Sequence, residues 1–186
     1  MKLYIKNMVC NRCLMVVNQE FEKEGFNPIE VRMGEVELNK MPKDSQLKKL
    51  NSSLKKLGFE ILDNQKQKLI ERIKNLLIEK IQTGQIEGHF MLSDFLSKNL
   101  TKEYSHVSRL FSGVEGITVE QFFILQKIEK VKEWIAYAEL TLSEIAWKLG
   151  YSSVAHLSSQ FKNVTGLTPT NFKKSGVNHR KSLDNI

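Results

Sequence analysis

The chain has 186 residues, 41% of them hydrophobic and 26% charged, with a formal net charge of +7 and a pI near 9.3. That length holds one or two modest domains, the composition is ordinary for a soluble globular protein, and the two cysteines are expected to be thiols. The basic balance suits an anionic partner, no apolar run is long enough to span a membrane, and Lys6 and Arg12 interrupt any signal-peptide core.

In chain order, Lys2 to Met8 alternate in polarity and predict a first strand. Cys10-Asn11-Arg12-Cys13 follows, then a helix from Leu14 to Glu24 with Val17 and Phe21 one turn apart, ended by Gly25. Pro28 to Leu38 alternates on either side of Gly34 and predicts a short hairpin. Asp44 or Ser45 is placed to cap a second helix running through Leu57, with Leu47, Leu50, Leu54 and Leu57 on one face. Gly58 stops it, and Phe59 to Leu62 is the last strand. The order strand-helix-strand-strand-helix-strand predicts an α+β, ferredoxin-like (βαββαβ) domain over residues 1–62. Residues 63–90 read as a lead-in: a basic helix from Asn64 to about Gln82, striped by Leu69, Ile73, Leu76, Leu77 and Ile81, then a loop from Thr83 to His89.

Residues 91–174 predict an all-α domain with two helix-turn-helix units joined by a long helix. In the second unit, Thr141-x-x-Glu144 is a capping box, and Leu142, Ile145, Ala146 and Leu149 recur on one helical face. Gly150 closes that helix, Ser152 or Ser153 caps the next, and Leu157 and Phe161 continue its apolar seam. The same pattern stands fifty positions earlier: Leu92, Ser93, His106, Ser108, Phe111, Val114, Gly116, Thr118 and Phe122 match Leu142, Ser143, His156, Ser158, Phe161, Val164, Gly166, Thr168 and Phe172. Matched Gly, Thr and His at one offset mark an internal repeat. Leu100 stands where the first turn would want glycine, and Asn99 is the residue expected to supply the turn. Between the units, Thr118-Val119-Glu120-Gln121 is another capping box, and no Gly or Pro follows before about Tyr137. A helix of that length spans about 30 Å, close to the repeat of about 34 Å between successive major-groove faces. Trp134 and Trp147, among apolar neighbours, are expected in the core, and residues 175–186 are expected to be a disordered tail.

The segment SEIAWKLGYSSVAHLSSQFKNVTGLTPTNFKK, with the weaker SRLFSGVEGIT, resembles the DNA-binding domain of AraC/XylS-type transcription regulators. The likeness covers roughly the last hundred residues. It implies double-stranded DNA as partner, read in the major groove, with RNA polymerase and a second copy of the chain as further partners. Docked as in that family, the second helix of the first unit presents Ser105, Ser108 and Arg109. The second helix of the other unit presents Val154, Ala155, Ser158 and Ser159. Arg109 has the fork that matches guanine O6 and N7, serines accept either base, and Val154 or Ala155 suits a thymine methyl. Lys102, Lys148, Lys162, Lys173 and Lys174 are candidate phosphate contacts, which position without specifying. His106 and His156 occupy equivalent places and are read as structural or backbone-contact residues.

Met8-x-Cys10-x-x-Cys13 and Leu57-Gly58-Phe59 give the first sixty residues a resemblance to the heavy-metal-associated fold of metallochaperones and metal-transporting ATPases. Asn7 replaces that fold's usual glycine, and the hairpin is short. Two thiols at a helix start, beside Arg12, are expected to favour the thiolate. Such a pair suits Cu(I), or part of a Zn(II) site. A thiol-redox pair and a vestigial pair on a fold kept for partner contacts are the other readings. No nucleotide-binding Gly loop, Ser-His-Asp order or HExxH motif is present, so no enzyme is expected. The expected function is a cytoplasmic, nucleoid-associated transcription regulator that binds DNA sequence-specifically and responds to a soft metal or thiol state. A metal-handling or protein-interaction module and an effector-independent architectural DNA binder are the alternatives.

Overall fold

The computed structural model describes residues 1–175. Two compact units meet within one helix, Met1–Asn75 and the part from Leu76 onward. The expected tail lies outside the described residues, except that Ser175 ends the last helix.

The first unit runs β1 (Lys2–Lys6), α1 (Asn11–Lys23), β2 (Pro28–Arg32), β3 (Glu35–Leu38), α2 (Asp44–Lys56), β4 (Glu60–Leu62) and the first half of α3 (Gln65–Gln82). The strands form one antiparallel sheet in the order β2-β3-β1-β4. Alternation explains which face is buried: Leu3, Ile5, Val36 and Leu38 join Val17 and Phe21 of α1 and Leu50 and Leu54 of α2 in one core. Helix α1 starts three residues before Leu14, with Cys10 as its cap residue. The cap of α2 is Lys43 rather than Asp44 or Ser45, because the Gln46 side chain reaches back to accept the Lys43 N–H at 3.0 Å. Asn7 takes φ +68° where the metallochaperone-like pattern has glycine. Its N–H donates to Glu71 Oε1 at 2.8 Å and its side-chain amide to the Gly58 carbonyl at 2.9 Å, which hold that conformation. The β2–β3 turn needs Gly34 twice over: φ is +74°, and a Cβ there would collide with the buried Asn75 amide.

The second unit continues α3 and adds α4 (Leu92–Leu100), α5 (Tyr104–Glu115), α6 (Val119–Tyr137), α7 (Leu142–Lys148), α8 (Val154–Thr165) and α9 (Pro169–Ser175). The offset of the internal repeat survives in three dimensions. Helices α5 and α8 have the same length, and each ends at a glycine with positive φ, Gly116 and Gly166. Phe111 meets Phe122 edge-on at 5.6 Å, as Phe161 meets Phe172 at 5.4 Å. Thr118 Oγ1 accepts the Gln121 N–H that opens α6, and the Thr141–Glu144 capping box is complete. The repeat differs at the first turn. Leu100 remains helical and buried, and Thr101, not Asn99, takes the left-handed conformation at φ +52°. The Asn99 side-chain amide donates instead to the Phe95 carbonyl at 2.8 Å.

Candidate nucleic-acid interface and thiol pair

The two helix-turn-helix units each put a polar face on their second helix. On α5, Ser105, His106 and Arg109 are exposed and Ser108 half-buried, while Val107 and Phe111 turn inward. On α8, Ala155, His156 and Ser159 are exposed and Val154 and Ser158 half-buried, while Leu157 and Phe161 turn inward. Ser105 and Arg109 on α5 and Ala155 and Ser159 on α8 thus lie opposite the seam, Ser108 and Ser158 flank it, and Val154, three and seven residues before Leu157 and Phe161, lies on its side. Lys102, Lys162, Lys173 and Lys174 are exposed and Lys148 is half-buried. His156 has a local role: its Nδ1 lies 3.1 Å from Ser152 Oγ and its ring meets Tyr151 edge-on, while Ser153, the cap of α8, accepts its N–H.

Three arrangements carried no recognised sequence signal. Tyr104, at the start of α5, donates a hydrogen bond to the Glu120 carboxylate on α6. Burial and that carboxylate together push the Tyr104 hydroxyl pKa up. Lys127 of α6 is buried with its ammonium 3.7 Å from the centroid of the Tyr151 ring. The loop after α3 is tied into the second unit: Ile86 N–H donates to the Lys148 carbonyl at 2.9 Å, and Gly150 lies against the Ile86 and Glu87 carbonyls. Trp147 is 78% exposed on α7, which corrects its expected place in the core. Trp134 does take part in packing, with Gly84 against its ring and Lys130 over it at 5.2 Å.

Burial pushes the Lys127 ammonium down to about 8 from its ordinary 10.5. A base with a lowered folded pKa binds fewer protons in the folded than in the unfolded chain between those two values. Folding stability is therefore expected to rise as pH goes from about 8 to 10.5. The difference in denaturation midpoint between wild type and Lys127→Met across that window isolates this residue; parallel pH profiles would contradict it.

At the start of α1 the Cys10 and Cys13 sulfurs lie 3.4 Å apart, both half-buried. Burial works to raise both thiols. At Cys10 the N–H groups of Cys13 and Arg12, with their side chains, outweigh burial, and the thiol falls below its ordinary value. At Cys13 burial prevails, assisted by the neighbouring Cys10 sulfur, and the thiol is raised. The expectation that both thiols are acidified is corrected for Cys13. The pair is chemically unequal: one sulfur is the readier thiolate, the other the readier proton donor. Two soft sulfur donors on one helical turn are of the kind a Cu(I) ion takes, and they would have to spread from their present hydrogen-bonded separation to hold it in linear coordination. No cluster of three or more His, Cys, Asp or Glu suited to a metal occurs among the described residues, so Zn(II) would need further ligands. Among the described residues no helix is long and apolar enough to cross a membrane.

Residues 96–175 match the protein family described as a helix-turn-helix domain. The probable transcriptional regulator LumQ of Photobacterium leiognathi is 25% identical over 107 residues, covering 58% of this chain and 43% of the relative. The uncharacterized HTH-type transcriptional regulator YtdP of Bacillus subtilis is 26% identical over 152 residues, covering 77% of this chain and 20% of its own length. The chain thus spans less than half the length of either curated relative. In fold, it is similar to the C-terminal domain of AraT, a response regulator from Geobacillus stearothermophilus. That likeness has a TM-score of 0.51 at 19% identity and covers 61% of this chain and 90% of that one. The named relatives are transcriptional regulators, a non-enzymatic class, in agreement with the expectation that this chain is not an enzyme. Two repeated helix pairs and their connecting helix thus lie where the chain matches the helix-turn-helix family, over residues 96–175.

Proposed function

We propose that this chain is a sequence-specific DNA-binding transcription regulator acting in the cytoplasm, with α5 and α8 entering successive major grooves of one duplex. The observation that carries the reading is α6. One unbroken helix of 19 residues, about 28 Å long, joins two units whose second helices and phenylalanine pairs match. Ser105, Ser108 and Arg109 on α5 and Val154, Ala155, Ser158 and Ser159 on α8 are the base-reading set. Lys102, Lys148, Lys162, Lys173 and Lys174 contact phosphates. Asymmetry follows: the α8 set has no Arg, so most base discrimination falls to the first unit. The domain limits follow the same reading, with residues 91–174 as the DNA-binding domain, 63–90 as lead-in and 1–62 as a sensing or dimerising domain. The strand order β2-β3-β1-β4 with two helices over one face supports a ferredoxin-like assignment for that first domain. A homodimer and RNA polymerase are its protein partners.

Cys10 and Cys13 are proposed to hold Cu(I), or to close as a thiol pair, and so to report a soft metal or redox state. Bound Cu(I) would supply a fixed charge and a link between the two sulfurs. The chain's own contribution is to hold the sulfurs together at a helix start and keep Cys10 ready as thiolate.

Selection of bound duplexes from a random pool tests the reading, with reduced apo protein and Cu(I)-loaded protein in parallel. The expected result is a pair of half-sites about 10 bp apart and a steep loss of affinity with salt. Arg109→Ala is expected to cost about 1–3 kcal/mol and relax one guanine position. No enrichment in either arm would replace the regulator with an interaction module. Identical arms, unchanged in the Cys10→Ser/Cys13→Ser variant, would leave an effector-independent binder.

A further inference from the structure

We propose that the open edge of β2 is a homodimer seam. Two copies of the chain pair their β2 strands antiparallel about a two-fold axis through Val31, joining two four-stranded sheets into one. This deepens the homodimer part of the reading above and needs nothing from DNA binding.

Strand β2 ends the sheet, so its far side carries unpaired backbone groups. Edge strands are usually blunted by short length, charged side chains, Pro or a β-bulge. This edge has five residues, with Pro28 first and the bulge at Ile29, so its regular part for pairing runs from Glu30 to Arg32. Its two charges are opposite and two positions apart: Glu30 and Arg32 form an ion pair at 2.7 Å within the strand, both exposed. A two-fold axis at Val31 places each Glu30 across from the second copy's Arg32. The intrastrand pair then exchanges for two cross-strand pairs on the same face of the sheet. The same axis sets Ile29 across from the second copy's Met33. Ile29 is 57% exposed, an apolar side chain bulged out of the ladder with β3.

Backbone parity agrees with that axis. Met33 and Gly34 make a two-residue hairpin loop closed by the Arg32–Glu35 pair. The closing pair of such a loop exchanges both hydrogen bonds, so the next pair, Val31–Val36, is of the other kind. Val31 therefore directs its N–H and C=O toward the open edge, where a two-fold-related Val31 can take both. The opposite edge, β4, is only three residues long. A seam of one short strand is small, and it belongs to the weak, reversible class of interface.

Sedimentation equilibrium of the full chain over a concentration series tests the seam. The wild type is expected to dimerise reversibly. Arg32→Glu puts like charges at every cross-strand position and is expected to weaken association about tenfold or more. Adding Glu30→Arg restores complementarity and is expected to recover it. Independently, in a Cys10→Ser/Cys13→Ser background, Glu30→Cys/Arg32→Cys is expected to give a disulfide dimer on mild oxidation. Positions 30 and 32 would face each other as a non-hydrogen-bonded pair, in which side chains approach closely enough for the bond. Ile29→Cys alone is expected not to cross-link. A wild type that stays monomeric throughout overturns the proposal. A dimer indifferent to charge reversal and not cross-linked between positions 30 and 32 keeps the homodimer but rejects this edge.

Discussion

Gly150→Val is expected to unfold the second helix-turn-helix unit and abolish specific DNA binding. Two independent costs meet at this position. The backbone stands at φ +66°, where a non-glycine residue costs about 1–2 kcal/mol. A Cβ would sit 2.9 Å from the Ile86 carbonyl oxygen and 3.0 Å from that of Glu87. Both neighbours are main-chain atoms, and one belongs to a residue whose N–H is already committed to Lys148. They have no side-chain rotation with which to yield, so overpacking adds about 1–3 kcal/mol. Gly166→Val is the control, since Gly166 has nearly the same φ, +79°, but open space around it. Its expected cost is the backbone part alone. Chemical denaturation followed by circular dichroism reads the difference, and equal losses at the two glycines would refute the steric account.

The second large effect is expected at Phe111 and Phe161. Each is fully buried, and each meets a second phenylalanine edge-on at closely similar distance. Truncation of either to Ala is expected to cost about 3–5 kcal/mol through the cavity it leaves. The more searching test is the coupling. Double-mutant cycles for Phe111 with Phe122 and for Phe161 with Phe172 are each expected to give about 0.5–1.5 kcal/mol beyond simple burial. Like values would mean that the internal repeat is one of energetics as well as geometry. A strong coupling in one unit with none in the other would show that the two copies have diverged beneath a common backbone.

Much of the helical half was legible because its signals are local. A capping box, a glycine after the last apolar position and a seam at three- and four-residue spacing each act within one or two turns of chain. The Thr141–Glu144 box and the limits of α6 were recovered for that reason. The failures share a different cause. Turn propensity favours Asn99 over Thr101, yet the helix runs on because Leu100 is needed in the core. Cys13 is raised by burial, which depends on what the rest of the first unit packs around it. Trp147 was misplaced for a simpler reason. Leu142, Ile145, Ala146 and Leu149 already fill the buried face of α7, and Trp147 falls on the other side. The side-chain faces of α5 and α8 were legible by the same wheel, whereas the ties from Ile86 and Lys127 into the second turn join residues far apart in sequence.

The hydrogen bond from Ile86 to Lys148 has a bearing on excision. The last carbonyls of a short helix need partners from outside it, and α7 receives one from a residue that precedes the first helix-turn-helix unit altogether. A fragment begun at Met91 would keep every helix from α4 onward and still strip α7 of that partner and bare the side of Gly150. The smallest piece that melts like the parent domain should therefore begin upstream of Gln85. Ancestral shuffling of the second unit by itself would have carried the same penalty, which ties the two halves of the repeat to a common lead-in.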